Sequence, residues 1–304
     1  MPPADSQKYL VVLLGPTGVG KTDMSIVLAR FLQADIVSAD SRQFFRELSI
    51  GTAPPSSEQL AQVPHHFVGH KSITERYSCG MYELDAMALL DQLYARQRVA
   101  MLVGGSGLYI DALCNGVDDF PEPDLALRQQ LQQQGLQSLQ EQLRTLDPVH
   151  YERVDLNNPQ RVLKAVEVCL QTGRTFTSFL TAPRKPRPFT VIKVGLNIDR
   201  PTLYGRIDRR VDAMMAAGLL DEARSLYPQR GLNALRTVGY NELFQHFDGR
   251  IPLEHAVNLI KQNTRRYAKR QLTWWARDAS IKWFTPNQHM EVAYYLRTQM
   301  SQCQ

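Results

Sequence analysis

Two rhythms of apolar and polar positions alternate along this 304-residue chain. Short apolar runs at Tyr9–Leu14, Asp35–Ala39, Val99–Val103 and Thr190–Leu196 have the length and branched side chains of buried strands. Between the first three lie stretches with apolar residues at helical spacing, near Thr22–Leu32 and Met81–Gln97. This alternation predicts a parallel α/β sheet with its ligand at the carboxyl ends of the strands. Thr17 follows the first strand, Asp40 the second and Gly104 to Ser106 the third, so these residues are expected to face the site.

The pattern changes near Pro121. From Asp124 to Leu146 the chain is glutamine-rich, with Leu127, Leu131, Leu139, Leu143 and Leu146 at roughly helical spacing. A second helical segment, Pro159 to Leu170, follows the turn Asn157-Asn158-Pro159. The basic run Arg184-Lys185-Pro186-Arg187-Pro188 then leads back to a strand. Residues 121–188 therefore read as a helical insertion with proline-containing linkers at both ends, dividing a core made of 1–120 and 189–304. After Leu196 the main segments are helical: Arg200–Ala217, Leu219–Tyr227 and Pro252–Arg277.

Gly15-Pro16-Thr17-Gly18-Val19-Gly20-Lys21-Thr22 fits G-x-x-x-x-G-K-[ST] and sits between a strand and a helix. Glycines let the backbone turn its N–H groups inward, and the helix start adds the positive end of a dipole. Lys21 would reach terminal phosphate oxygens, and the Thr22 hydroxyl would complete the shell of a Mg²⁺. The expected fold is thus a P-loop NTPase-like parallel sheet flanked by helices, with an inserted all-helical domain, and its ligand carries a diphosphate or triphosphate.

Asp40 has three readings: a metal-holding carboxylate, a general base over the phosphate loop, or a turn cap. The third strand ends in Gly104-Gly105-Ser106 without an acid, which disfavours an ordinary ATPase. Arg206, Arg209 and Arg210 suit a leaving diphosphate, although one helix cannot turn all three inward. His65-His66 resembles a metal pair but lacks an acid or thiol at ligand spacing.

Hydrophobic residues make up 43% and charged residues 21%, ordinary for a globular protein. No apolar stretch approaches ~20 residues, and the polar start Met1–Lys8 lacks a signal pattern, so no membrane association is expected. Cys79, Cys114, Cys169 and Cys303 are scattered, which points to a reducing cytoplasm. Net charge is +5, and Lys261, Arg265, Arg266, Lys269, Arg270 and Arg277 form a stripe interleaved with Tyr267, Trp274 and Trp275. That stripe suits a nucleic-acid backbone and unstacked bases, or else is a solvated helix face with its aromatics turned inward.

Together these segments resemble the tRNA dimethylallyltransferases, the isopentenyl transferases that modify adenosine beside the anticodon. The matching stretches begin with Gly15–Thr22, Ser38–Gln43, Ile50-Gly51-Thr52-Ala53, Pro64-His65-His66 and Leu102–Tyr109. They continue with Asn158-Pro159-Gln160-Arg161, Leu203–Arg210, Val238-Gly239-Tyr240 and Tyr267–Trp274. The resemblance covers nearly the whole chain. It implies transfer of a dimethylallyl group from dimethylallyl diphosphate to N6 of adenosine 37, in tRNAs reading codons that begin with U, with release of diphosphate.

By the same resemblance Asp40 is the base, Thr17 and Arg210 join Lys21 on the diphosphate, and Thr22 bears on the Mg²⁺. Contacts to the tRNA anticodon stem-loop are implied for Asp40, Ser41, Arg42, Gln43, Ser106, Arg128, Gln160, Arg161, Val162, Leu163 and Lys164. They are implied also for Arg236, Thr237, Val238, Gly239, Tyr240 and Asn241, and for Lys269, Arg270, Gln271, Leu272, Thr273, Trp274, Trp275 and Ala276. The enzyme is expected to act as a monomer.

Three residues depart from the family pattern: Ser106 in place of a common Thr, and Pro54 and Asn241 in place of usual basic residues. Residues 284–304 carry no zinc-finger pattern, so a bacterial-type member is expected. The competing readings are an isopentenyltransferase for free adenylate, a P-loop small-molecule kinase and a non-catalytic RNA-binding protein. The 121–188 segment and the basic stripe argue against the first, and the intact Lys21, Thr22 and Asp40 against the last.

Overall fold

The computed structural model describes residues 7–180 and 185–302. The chain divides into two compact units, Met1–Asn115 with Pro186–Gln304, and Gly116–Lys185. The second unit is bounded at Gly116 and Lys185, against 121 and 188 in the sequence pattern. Arg184 of the proline-rich run, Met1–Ser6 and Cys303 lie outside the described residues.

The first unit holds six parallel strands: β1 (Tyr9–Leu14), β2 (Ile36–Ser38), β3 (His65–His66), β4 (Val99–Gly104), β5 (Thr190–Leu196) and β6 (Lys282–Phe284). Their order is β3-β2-β4-β1-β5-β6. Before the insertion the helices are α1 (Lys21–Leu32), α2 (Ser57–Leu60), α3 (Cys79–Tyr94) and α4 (Gly107–Asn115). The insertion contributes α5 (Leu125–Gln132), α6 (Leu136–Leu146), α7 (Pro148–Tyr151) and α8 (Pro159–Thr172). After it come α9 (Arg200–Ala216), α10 (Leu219–Leu226), α11 (Tyr240–Phe247), α12 (Leu253–Trp275) and α13 (His289–Gln302).

Strand alternation sorts the core into layers. Tyr9, Val11 and Leu13 of β1 pack with Met24 and Leu28 of α1, Leu203 and Ile207 of α9, and Val292 and Leu296 of α13. Leu10, Val12 and Leu14 face the other way, against Tyr82, Ala86 and Leu90 of α3 and Leu113 of α4. β1 is buried along its whole length, which is why its sequence is apolar without interruption. A third cluster joins Leu219 and Ala223 of α10 to Tyr240, Leu243 and Phe244 of α11 and Ile260 of α12.

The second unit has its own core of Leu131, Leu139, Leu143, Val162, Leu163 and Val166. The single glutamine-rich stretch becomes two helices, because Gly135 caps α6 where α5 has already ended. Asn158 caps α8, with Pro159 in its first turn. Buried Asp147 ties the unit together, accepting from the N–H groups of His150 (2.9 Å) and Thr177 (2.7 Å). β3 and β6 escape the sequence pattern because two or three residues carry no measurable periodicity.

The ends of β2 and β4 meet at Gly104, where a Cβ would press on the Ala39 carbonyl. Backbone cannot yield as a flexible side chain can, so Gly104→Ala is expected to destabilise the fold by about 2 kcal/mol or more. Urea denaturation measures this, and an unchanged midpoint would mean that the strand ends are free to separate.

Candidate active site

The phosphate loop leaves β1 through Gly15 and turns at Gly18 and Gly20, whose φ values of 80° and 106° favour glycine. A Cβ at Gly15 would stand 2.6 Å from the Leu196 carbonyl oxygen, so the loop can rest directly on the end of β5. Gly20 offers no side-chain cap to α1, and the first amides of the helix stay available to an anion. Lys21 Nζ donates to the carbonyls of Gly15 (2.8 Å) and Pro16 (3.0 Å), folding back along the loop. Burial lowers the Lys21 ammonium to about 8; Asp40 opposes the shift and Arg210 adds to it.

Two cavities open at the carboxyl ends of the strands, of about 430 and 440 Å³. They share four residues: Thr17, Asp40, Thr52 and Arg210. The second is the phosphate-loop side, lined also by Lys21, Thr22, Gln43, Pro54, Val103 and Arg206. The first is lined by Ser41, Arg42, Arg236–Gly239, Asn241, Tyr267 and Arg270. Three of the four shared residues are the expected catalytic ones.

Asp40 Oδ1 accepts from the Arg42 N–H at 3.2 Å, so the carboxylate caps its own turn while lining both cavities. The Ser106 hydroxyl accepts from the Ser41 N–H (3.0 Å) and meets the Ser41 hydroxyl (3.1 Å). Tyr267 lies beside Ser106, and burial pushes its phenol up to about 12, with nearby Asp40 acting in the same direction. Arg210 Nη2 donates to the carbonyls of Thr52 and Ala53 (both 3.3 Å), and Gln43 Nε2 reaches the same two oxygens (both 3.2 Å). Arg206 donates to the Val19 carbonyl at 3.0 Å, whereas Arg209 is exposed. Two of the three arginines thus turn toward the site.

Thr52 was legible only as part of a motif, and the group that holds the turn before it was missed. Glu222, in the first turn of α10, accepts from Ser49 Oγ (2.7 Å), the N–H groups of Ile50 (2.8 Å) and Gly51 (2.9 Å), and the Tyr240 hydroxyl (2.6 Å). One inward-facing acid in the first turn of an ordinary helix gives no local sequence signal. His65 lines the phosphate-loop cavity; its Nδ1 is bonded to the Val63 carbonyl, while His66 pairs with Asp35 at 2.8 Å.

Several residues with expected RNA contacts have side chains turned inward. Tyr240 is fully buried with its hydroxyl on Glu222. Val162 and Leu163 belong to the core of the second unit, and Gln271 and Trp275 are buried, so none of these side chains presents a surface to RNA. Gly239 is buried as well. Trp274 donates to Asp111 (3.0 Å) beneath the Arg277 guanidinium, and Leu272 is half-buried. Arg128 is held 3.2 Å from Glu167. Gln160, Arg161, Lys164, Arg236, Asn241, Lys269, Arg270, Thr273 and Ala276 are exposed. The basic stripe is also thinner than its sequence implies, since Lys261 and Arg265 pair with Asp212 and Asp208 of α9.

Thr22, Asp23 and Asp40 are the oxygen-bearing side chains of the phosphate-loop cavity nearest in kind to Mg²⁺ ligands. No cluster of three or more His, Cys, Asp or Glu side chains suited to a metal occurs among the described residues. The Thr22 hydroxyl therefore suits an ion carried mainly by phosphate oxygens and water, the usual habit of Mg²⁺.

Lys21 gives a pH-dependent expectation. Its ammonium loses charge as pH rises through about 8, so its attraction for an anion fades above that pH. Calorimetric affinity for inorganic diphosphate should weaken across that range relative to Lys21→Met. Parallel pH profiles for the two proteins would sink the assignment.

Comparison with known proteins agrees with this geometry. A model of the family described as IPP transferase matches residues 43–278. The chain is 52% identical over 293 residues to a tRNA dimethylallyltransferase 1 of Phocaeicola vulgatus, covering 95% of this chain and 98% of that one. It is 51% identical over 294 residues to the protein of the same name in Bacteroides thetaiotaomicron, covering 95% and 96%. The solved full-length tRNA isopentenylpyrophosphate transferase of Bacillus halodurans shares its fold at a TM-score of 0.73 and 34% identity, over 97% of this chain and 98% of that one. A eukaryotic dimethylallyltransferase acting on tRNA superposes at 0.81 with 23% identity, over 96% of this chain and 78% of that one, a likeness of fold. With a phosphate loop open to a second, arginine-bearing cavity and a family match across most of its length, the chain belongs to the IPP transferase family.

Proposed function

We propose that this protein transfers a dimethylallyl group from dimethylallyl diphosphate to N6 of adenosine 37 in tRNA. The observation that carries the reading is the meeting of two cavities at Thr17, Asp40, Thr52 and Arg210. A donor seated on the phosphate loop and a base entering from the other side would react at that junction.

The diphosphate lies on the loop amides, the start of α1 and Lys21, with Arg210 reaching across from α9. These groups stabilise charge that grows on the diphosphate as the C1–O bond breaks. The adenine leaves its stack and enters the first cavity, where a single-stranded loop base is easier to extrude than a paired one. As N6 bonds to C1, one N6 proton passes to the Asp40 carboxylate and diphosphate departs. Mg²⁺, held by Thr22 and the phosphates, would further neutralise the leaving group.

Exposed Arg236, Lys269 and Arg270 supply charge for the RNA backbone on the first unit. Gln160, Arg161 and Lys164 of α8 give the helical unit an exposed polar face for the anticodon stem-loop. No helix among the described residues is long and apolar enough to cross a membrane. We place the enzyme in the cytoplasm with its tRNA, acting as a monomer.

The direct test offers radiolabelled dimethylallyl diphosphate, with Mg²⁺, to an unmodified anticodon stem-loop and to AMP in parallel. Label in the RNA alone is expected; label in AMP would favour an adenylate enzyme, and ATP turnover without transfer would favour a kinase. In the same assay Asp40→Ala should lower kcat by ~10²-fold or more while RNA affinity holds. Loss of RNA affinity at unchanged kcat would make Asp40 a positioning group instead.

A further inference from the structure

We propose that Gln271 is a positioning residue of the diphosphate site, a role its place among the expected RNA contacts conceals. The inference rests on the reading above for its substrate. Gln271 lies on α12 and is buried, 5% exposed. Its Oε1 accepts from the Thr17 N–H at 2.9 Å, and its Nε2 donates to the Gly105 carbonyl at 2.8 Å. One amide therefore clasps the phosphate loop to the loop that leaves β4.

The chemistry admits few substitutes. The Thr17 N–H needs an acceptor and the Gly105 carbonyl needs a donor, and both stand at the ends of one planar group. The approach is so close that a Cβ at Gly105 would collide with the Gln271 amide nitrogen. Tyr267, one turn earlier on α12, lies beside Ser106, and Ser106 bonds Ser41 beside Asp40. The same helix face thus sets Thr17 on one side of the junction and the Asp40 turn on the other. Gln271 lines neither cavity. It fixes the backbone from which Thr17 meets the diphosphate.

Two variants separate this role from RNA binding and from plain stability. Gln271→Met keeps the length and removes both bonds; the KM for dimethylallyl diphosphate and the Kd for inorganic diphosphate should each rise ~10-fold, with RNA KM nearly unchanged. Gln271→Glu keeps the bond to Thr17 but turns a carboxylate toward the Gly105 carbonyl. Once protonated, that carboxyl can donate again, so activity relative to the parent should recover from about pH 8 to about pH 6. A rise in RNA KM with donor KM unchanged would overturn the proposal in favour of an RNA contact. A fall in kcat and melting temperature alone, with both diphosphate readings and the pH ratio unmoved, would overturn it in favour of bare packing. The Kd for inorganic diphosphate reads the clasp even if the parent transfers no prenyl group, so the two failures are distinct.

Discussion

The site depends on backbone meeting backbone at the strand ends. Gly15 rests on the end of β5, and Gly104 lies against Ala39 at the end of β2. With these approaches, the loops after β1, β2 and β4 converge within one crevice, the place where an open parallel sheet receives ligands. Side chains larger than hydrogen at either position would spread the loops and separate Thr17 from Asp40. Cavities, cations and the Gln271 amide all assume that convergence.

The cations of the crevice take carbonyl partners where several others in the fold take carboxylates. Lys21, Arg206 and Arg210 lean on carbonyl oxygens of Gly15, Pro16, Val19, Thr52 and Ala53, and Arg42 on those of Asn233 and Ala234. Away from it, Arg187, Lys193 and Lys261 meet the carboxylates of Glu83, Asp278 and Asp212. A carbonyl orients a cation without cancelling its charge. Asp40 offsets part of the charge on Lys21, Arg42 and Arg210 without pairing directly with them, which leaves their remaining charge for an anion bound there. Burial works against the charge on Lys21, Arg42 and Arg210, which is the strain such an anion relieves.

What could be seen in the sequence follows the range of each interaction. Tyr9–Leu14 is a strand with the same limits in both readings, because full burial writes itself as continuous apolar sequence; Thr190–Leu196 keeps its limits too, through its branched residues and buried second half. The phosphate loop was legible because its glycines, lysine and threonine are consecutive. Glu222 and Gln271 were not, since each acts on residues far away in the chain and its own neighbours say nothing of them. Resemblance carried whole segments such as Lys269–Ala276, but a helix shows only one face, and half of that segment points inward. The side chains of Tyr240 and Trp275 face inward for the same reason.

The interrupted core also has a consequence for synthesis. β1 is the centre of the sheet, yet one of its two neighbours, β5, is encoded beyond the entire helical unit. A chain emerging from the ribosome can pair β1 with β4 early, while its other edge stays open until residues 190–196 arrive. The helical unit, with its own core, can fold during that interval. Translation speed across residues 116–185 therefore sets how long a fully apolar strand edge waits for its partner, and chaperone demand should concentrate in that window.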